Sequence, residues 1–191
     1  MVITDYKMSE YFKYKELSRL PNVVISGNVS GFGGCSNGVC CTANVSSNTR
    51  IKKAPYFFAN CERLQVVNFG ENVLVNANNV FFGCSSLIEL NLSEGLRFFG
   101  NATFAGCGVR RLFIPSGTII EGPFSFGNCQ DLHSVEFGDD CKVLGDSTFE
   151  GCLNLESVIG GNNLQILGKN TFVNCPKLEC IYASDNSEIE Y

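Results

Sequence analysis

Residues 126–152 read FGNCQDLHSVEFGDDCKVLGDSTFEGC, and this stretch contains one complete unit of a repeat. It begins and ends on the same pattern, a phenylalanine three residues before a cysteine, and 23 residues separate Cys129 from Cys152. Outward from this unit, six cysteines are spaced by 23, 23, 22, 23 and 23 residues, which indicates an internal repeat. These are Cys61, Cys84, Cys107, Cys129, Cys152 and Cys175.

Three other columns of the repeat accompany the cysteines. A phenylalanine stands three residues before each, a Gly or Asn one residue before, and a Gly or Ala seven residues before. Gly and Asn tolerate a left-handed backbone, so the residue before each cysteine is expected to end a short helical turn that carries the phenylalanine inward. The phenylalanines are Phe58, Phe81, Phe104, Phe126, Phe149 and Phe172.

Apolar residues after each cysteine predict a strand. In the quoted unit Leu132, Val135 and Phe137 follow Cys129 at three, six and eight positions, and the last two have the spacing that puts both side chains on one face of a strand. The 22-residue unit shows the same pattern one position early, so it lacks a residue just after Cys107. A further apolar cluster, Val143 and Leu144 in the quoted unit, predicts a second short strand per repeat.

A unit of this length cannot bury its own apolar side chains, whereas stacked units share one continuous core. The chain has 191 residues of which 45% are apolar, enough for such a core. The sequence therefore predicts a solenoid, α/β or mostly β, of about six repeats of 22–23 residues over residues 47–183.

The segments that flank the array are predicted to differ from it. Residues 1–46 are expected to form a cap: an amphipathic helix from about Asp5 to Arg19, with Thr4 as its N-cap, then a Gly- and Ser-rich loop and a degenerate first repeat. A helix that binds a membrane surface or a partner is the alternative. Residues 184–191 are expected to be an acidic tail. No cap is evident beyond the last repeat, which predicts self-association or docking of a partner there.

Charge and targeting signals restrict the partners and the compartment. The net charge of -5 argues against a nucleic-acid partner, and no apolar run is long enough for a membrane span. The charged N-terminus has no apolar segment typical of a secretory signal, which favours a cytoplasmic, reducing location. A cell-surface location is the alternative, because four Asn-x-Ser/Thr triplets would accept glycans in a secretory pathway. They begin at Asn28, Asn44, Asn91 and Asn101.

The repeat unit F-x-x-C-x-x-L-x-x-V-x-F, followed by an apolar pair and Gly-x-x-x-Phe, resembles the leucine-rich repeats of the BspA-like family. The units from Leu132 to Cys152 and from Leu155 to Cys175 match best, and Ile114-Pro115 is similar to the family's usual strand ending. The resemblance implies a right-handed solenoid with a strand and a second short strand or turn per repeat. Similar proteins are described as surface antigens, adhesins and protein-binding modules of bacteria and anaerobic protists, and not as enzymes.

No catalytic, cofactor-binding or metal-binding residue is predicted. Cysteines 22 or 23 residues apart match no common zinc spacing and are interpreted as a buried structural column. Cys35, Cys40 and Cys41 lack a fourth ligand and a nearby histidine, so a plain loop is favoured over a soft-metal site. His133, the only histidine, follows Cys129 by four residues, but the cysteine is expected to point inward and the histidine outward, which excludes a nucleophilic pair.

A solenoid presents one residue per repeat in an outward column beside its buried strand positions. The residues seven positions after the cysteines are therefore the predicted protein-binding column, in which Phe113, Ile159 and Tyr182 are expected to be the anchors. The alternative is that these side chains pack against a loop or each other. The full predicted site is Asn68, Asn91, Phe113, Glu136, Ile159 and Tyr182, with Arg110, Arg111 and His133 beside them.

The sequence therefore predicts a non-enzymatic module that binds a protein partner. The first hypothesis is an intracellular scaffold or a structural component of a larger assembly, and the alternative is a cell-surface antigen or adhesin. An enzyme of unrecognised type ranks third, because a fold alone does not fix a function.

Overall fold

The computed structural model describes residues 2–4, 22–29 and 41–190. All the regular structure of these residues is β, in 17 strands numbered β1 to β17 along the chain. The strand pairs are parallel and join strands one turn of the chain apart, as between residues 111–114 and 134–137 or residues 50–52 and 74–76. This is a parallel β-solenoid, which confirms the predicted fold class in its mostly β form.

The strands that follow the cysteines, with two earlier strands in line with them, form one side of the solenoid, the strand face. It consists of a five-stranded ladder, β1-β2-β4-β6-β8, and a four-stranded ladder, β10-β12-β14-β16. The strands are β1 Val2–Thr4, β2 Asn22–Ser26, β4 Thr42–Val45, β6 Val66–Phe69, β8 Glu89–Asn91, β10 Arg111–Ile114, β12 Ser134–Phe137, β14 Ser157–Ile159 and β16 Cys180–Tyr182.

The predicted second short strand of each repeat is also present, and these strands form an uninterrupted ladder of eight. Seven turns of the chain separate its eight strands, slightly more than the six repeats counted from the cysteines. Both ladders continue outside residues 47–183. The strands are β3 Asn28–Val29, β5 Arg50–Lys52, β7 Leu74–Asn76, β9 Arg97–Phe98, β11 Ile119–Ile120, β13 Lys142–Val143, β15 Gln165–Ile166 and β17 Glu188–Ile189.

The third side of the solenoid is a stack of turns that carry the phenylalanines and cysteines. Backbone hydrogen bonds connect one turn to the next, as from the Phe104 N–H to the Ser125 carbonyl at 2.7 Å. The residue before each of the six cysteines has a positive φ, as predicted; the angle is 73° at Gly151. A second left-handed residue lies four positions earlier, such as Ser147 at 54°, and it prevents the predicted helical turn because a right-handed helix cannot include it.

The small-residue column is explained by the close approach of these turns. A Cβ atom on Gly145 would lie 2.5 Å from the carbonyl oxygen of Gly122, and one on Gly168 would overlap the carbonyl oxygen of Gly145. Glycine at this column therefore lets successive turns stack at the spacing that the two ladders impose.

The core is a stack of phenylalanine rings along the solenoid axis. Five of the six predicted spine residues are buried, and neighbouring rings lie parallel, with the centroids of Phe81 and Phe104 5.2 Å apart. The strand residues beneath the face, such as Leu132 and Val135, are fully buried against this stack. Phe172, in the last repeat, is only partly buried.

The N-terminal helical cap is not supported by the structure. The predicted helix, Asp5 to Arg19, and most of the predicted Gly- and Ser-rich loop lie outside the described residues. The described residues contain no helix, and Val2–Thr4 form strand β1, which pairs with β2 at the end of the first ladder. Accordingly, no helix long and apolar enough to cross a lipid bilayer occurs in the described ranges.

Candidate functional site

The strand face is interrupted between β8 and β10. Within the described part of the chain no strand pairing joins these two strands, although β9 pairs with β7 and β11 across the same interval. In the flanking repeats the residue four positions after the cysteine bonds backward, as His133 N–H does to the Arg110 carbonyl at 2.8 Å. The equivalent N–H of Arg110 has no backbone acceptor among the residues described here. Backbone pairing is therefore continuous along the eight-stranded ladder and the stack of turns, and it is interrupted on the strand face.

Two local features of the sequence explain this interruption. The third repeat lacks one residue between Cys107 and the strand, which shortens the path that leads into β10. Pro115 then stands where the equivalent Gly138 donates its N–H to the Ile114 carbonyl at 2.8 Å. Proline has no N–H, so the backward bond cannot form there, and β10 becomes the edge of a separate ladder.

The predicted outward column is assembled in register on the second ladder. Phe113 pairs with Glu136, Glu136 with Ile159, and Ile159 with Tyr182. The three predicted anchors are 52%, 47% and 61% exposed in the order Phe113, Ile159, Tyr182. Each of the three side chains is therefore about half exposed to solvent.

A groove of about 1030 Å³ lies over the interruption and the strands that follow it. The predicted residues Asn91, Arg110, Arg111, Phe113, His133 and Glu136 contribute to its lining, whereas Asn68, Ile159 and Tyr182 do not. The sequence interpretation missed further lining residues because, apart from Arg110, Arg111 and His133, it considered only the column seven positions after the cysteine. These are Ile88, Glu89, Leu90, Leu112, Asp131, Ser134, Glu156 and Ser157.

Serine side chains form the floor of the groove, and its two sides differ in their residue types. Ser134 and Ser157 are paired neighbours and half-buried, and Arg111 pairs with Ser134 at the end nearest the interruption. Phe113 and Glu136 form one side, and Ile159 continues their column beyond the groove. The other side is charged or polar, and it consists of Arg110, His133 and Glu156, which occupy the position just before each strand.

Comparison with known proteins identifies the repeat. A family profile described as "BspA type Leucine rich repeat region" matches residues 8–122 and 103–190, with six copies. The chain belongs to the BspA-type leucine-rich repeat family. No curated protein matches the sequence.

A solved structure supports the same fold. The BspA-type chain is similar to a leucine-rich repeat protein from Bacteroides ovatus, with a TM-score of 0.52 and 18% sequence identity. The match covers 87% of this chain and 57% of that protein, so the chain spans little more than half the length of its structural neighbour. At this identity the likeness establishes the fold alone. Neither match indicates a catalytic family.

Asn68 and Asn91 belong to a hydrogen-bonded amide ladder on the first half of the strand face. The Asn68 Nδ2 donates to Asn44 Oδ1 at 2.8 Å, and the Asn91 Nδ2 donates to Asn68 Oδ1 at 2.7 Å. The Asn91 Nδ2 also lies 2.8 Å from Glu89 Oε1. These two predicted binding residues thus have a role in connecting β4, β6 and β8.

The repeated cysteines of this BspA-type array are hydrogen-bond donors inside the core. The Cys107 thiol lies 3.2 Å from the Phe81 carbonyl oxygen and the Cys129 thiol 3.3 Å from that of Phe104. Burial raises the pKa of Cys129 to about 12 and that of Cys141 to about 11. The thiols of Cys129 and Cys141 therefore remain protonated at neutral pH.

The Cys129 and His133 side chains are held apart by their surroundings. Cys129 is fully buried and bonded to a carbonyl, whereas His133 is exposed and its Nδ1 lies 2.6 Å from the Asp131 carbonyl oxygen. Nine cysteines of the described residues are not in disulfide bonds. No group of three or more His, Cys, Asp or Glu side chains in the described ranges could hold a metal ion, and Cys35 and Cys40 lie outside those ranges.

Proposed function

We propose that this chain is a protein-interaction module that binds its partner at the groove on the strand face and acts without catalysis. The observation that carries the proposal is the in-register column of Phe113, Glu136, Ile159 and Tyr182, whose three apolar members are about half exposed. Aromatic and aliphatic anchors beside a polar groove are typical of protein interfaces.

Serine substitution of Phe113 and Ile159 tests the binding face. The double variant is expected to lose at least about tenfold in affinity for a partner and to keep the unfolding midpoint of the wild type, because both side chains already contact water. Leu153→Ser is the matched control, since Leu153 is 44% exposed and lies neither in the outward column nor in the lining of the groove. Equal binding by the double variant and the control would place the interface elsewhere.

Within this function, an intracellular scaffold or a structural component of a larger assembly is the role we put first. The buried column of cysteines without disulfide bonds supports it, because such thiols persist in a reducing compartment. A cell-surface antigen or adhesin is the second candidate, and the exposed Asn101 of an Asn-x-Thr triplet favours it.

The intact mass of the protein isolated from its own cells separates these two roles. Alkylation before and after denaturation, without reductant, counts the free and the buried thiols. Eleven thiols and no glycan mass would support the intracellular role. Disulfide bonds, or hexose-sized increments on the Asn triplets, would reject it in favour of the surface role.

A further inference from the structure

The charges of the groove are separated along the solenoid axis. Arg110 and Arg111 lie at the end nearest the interruption, and Glu136 and Glu156 lie one and two strands further on. In the described part of the chain none of these four side chains forms an ion pair. Glu89, which faces β10 across the interruption, is engaged by the Asn91 amide. From β10 to β14 the lining thus changes from an arginine pair to two carboxylates, and the Glu89 and Asp131 carboxylates line the groove as well.

The spacing of the apolar anchors fits one kind of ligand backbone. Phe113 and Ile159 are two strands apart, which corresponds to roughly 10 Å at about 4.8 Å per strand. A polyproline II segment rises about 3.1 Å per residue and returns to the same side every three residues, or roughly 9 Å. In a β-strand, residues on one side recur at roughly 7 and 13 Å, which fits this spacing less well.

We propose that the groove binds an extended, polyproline II segment of a partner protein that crosses β10, β12 and β14. Apolar side chains three residues apart contact Phe113 and Ile159. An acidic side chain of the segment lies at Arg110 and Arg111, and a basic one lies toward Glu136 and Glu156. Ser134 and Ser157 supply hydroxyl groups for the segment's backbone, which polyproline II leaves unbonded. The inference rests on the proposed function and adds the class of ligand and its direction.

A random peptide library displayed on phage is the probe that tests this inference. Selection against the full chain should enrich peptides with apolar residues at i and i+3, an acidic residue on one side and a basic residue on the other. Synthetic copies should bind the variant Arg110→Glu/Arg111→Glu at least about tenfold more weakly than the wild type. Replacing the acidic residue of the peptide with lysine should restore binding to that variant, which a general loss of folding would not allow.

The outcomes separate this inference from the proposed function. Selected peptides that lose binding to Phe113→Ser/Ile159→Ser but bind the arginine variant equally well would leave the binding face intact and overturn the charge-directed segment. Peptides without the i, i+3 spacing would overturn the polyproline II backbone. Peptides that bind Phe113→Ser/Ile159→Ser as tightly as the wild type would contradict both the inference and the binding face.

Discussion

The cysteine and phenylalanine of each repeat together connect that repeat to its neighbours in the core. The phenylalanines stack along the axis, and each thiol points at the carbonyl oxygen of the phenylalanine in the preceding repeat, as from Cys152 to Phe126 at 3.3 Å. The inward direction of both residues was predictable from their invariant spacing. The thiol–carbonyl bonds were not, because they depend on how closely two turns approach, which no single repeat encodes.

The phenylalanine stack makes a direct prediction about stability. Phe126→Ala is expected to lower the free energy of unfolding by about 3–5 kcal/mol, since the ring is fully buried between two others. Phe172→Ala is the matched control and should have a smaller effect, because Phe172 is only partly buried. Denaturant unfolding measures both, and equal losses in the two variants would contradict the described burial.

Buried thiols make stability dependent on alkaline pH. The pKa of Cys129 is raised from 9.0 to about 12, so between these values the unfolded chain releases a proton that the folded chain retains. The free energy of unfolding should therefore be unaffected by this thiol below pH 9.0 and should fall as the pH rises above it. Denaturant unfolding of Cys129→Ser/Cys141→Ser, which keeps a hydroxyl donor at each site, should show a shallower decline. A variant with the wild-type slope would refute the assignment.

At the scale of the strands, the causes of the gap between β8 and β10 are visible in the sequence, but the gap itself could not be predicted from them. The missing residue after Cys107 and the Ile114-Pro115 ending were both visible. Strand pairing is a relation between repeats, however, and a shortened repeat with a proline is also compatible with a continuous ladder. Likewise, the outward column was predicted with Arg110, Arg111 and His133 beside it. The groove is also lined by residues five positions after the cysteine, Ser134 and Ser157, which were not predicted.

Amide hydrogen exchange tests the gap directly. The N–H of Arg110 should exchange markedly faster than that of His133, because His133 bonds to the Arg110 carbonyl and Arg110 has no equivalent acceptor in β8. Both residues precede a strand and are exposed as side chains, so the comparison is matched. Equal protection of the two amides would show that the strand face is continuous.

At the scale of the whole molecule, the repeats could be predicted from the sequence because each makes the same few contacts. The period, the inward residues and the second strand all followed from columns of the sequence. The flanking segments carry no repeated column, and there the prediction was weakest: the described N-terminal residues form strand β1 and no described residue is helical. The short strand β17 likewise lies within the segment predicted as an acidic tail.

Self-association through the last repeat remains a prediction for the whole molecule. Among the described residues β16 pairs only with β14, and Phe172, Leu178 and Ile181 are incompletely buried. We expect the sedimentation coefficient to rise with concentration and Ile181→Lys to suppress the rise, because a charge at this surface opposes apolar contact. A constant monomer value across concentrations would rule out this association.

The central claim is that the groove beside the interruption is the binding surface, and hydrogen exchange of the full chain with and without a selected peptide tests it most directly. The account predicts added protection confined to residues 110–113, 133–136 and 156–159, with no change in the eight-stranded ladder. Protection that appears instead on β9, β11 and β13, with none at Arg111 or Phe113, would contradict it.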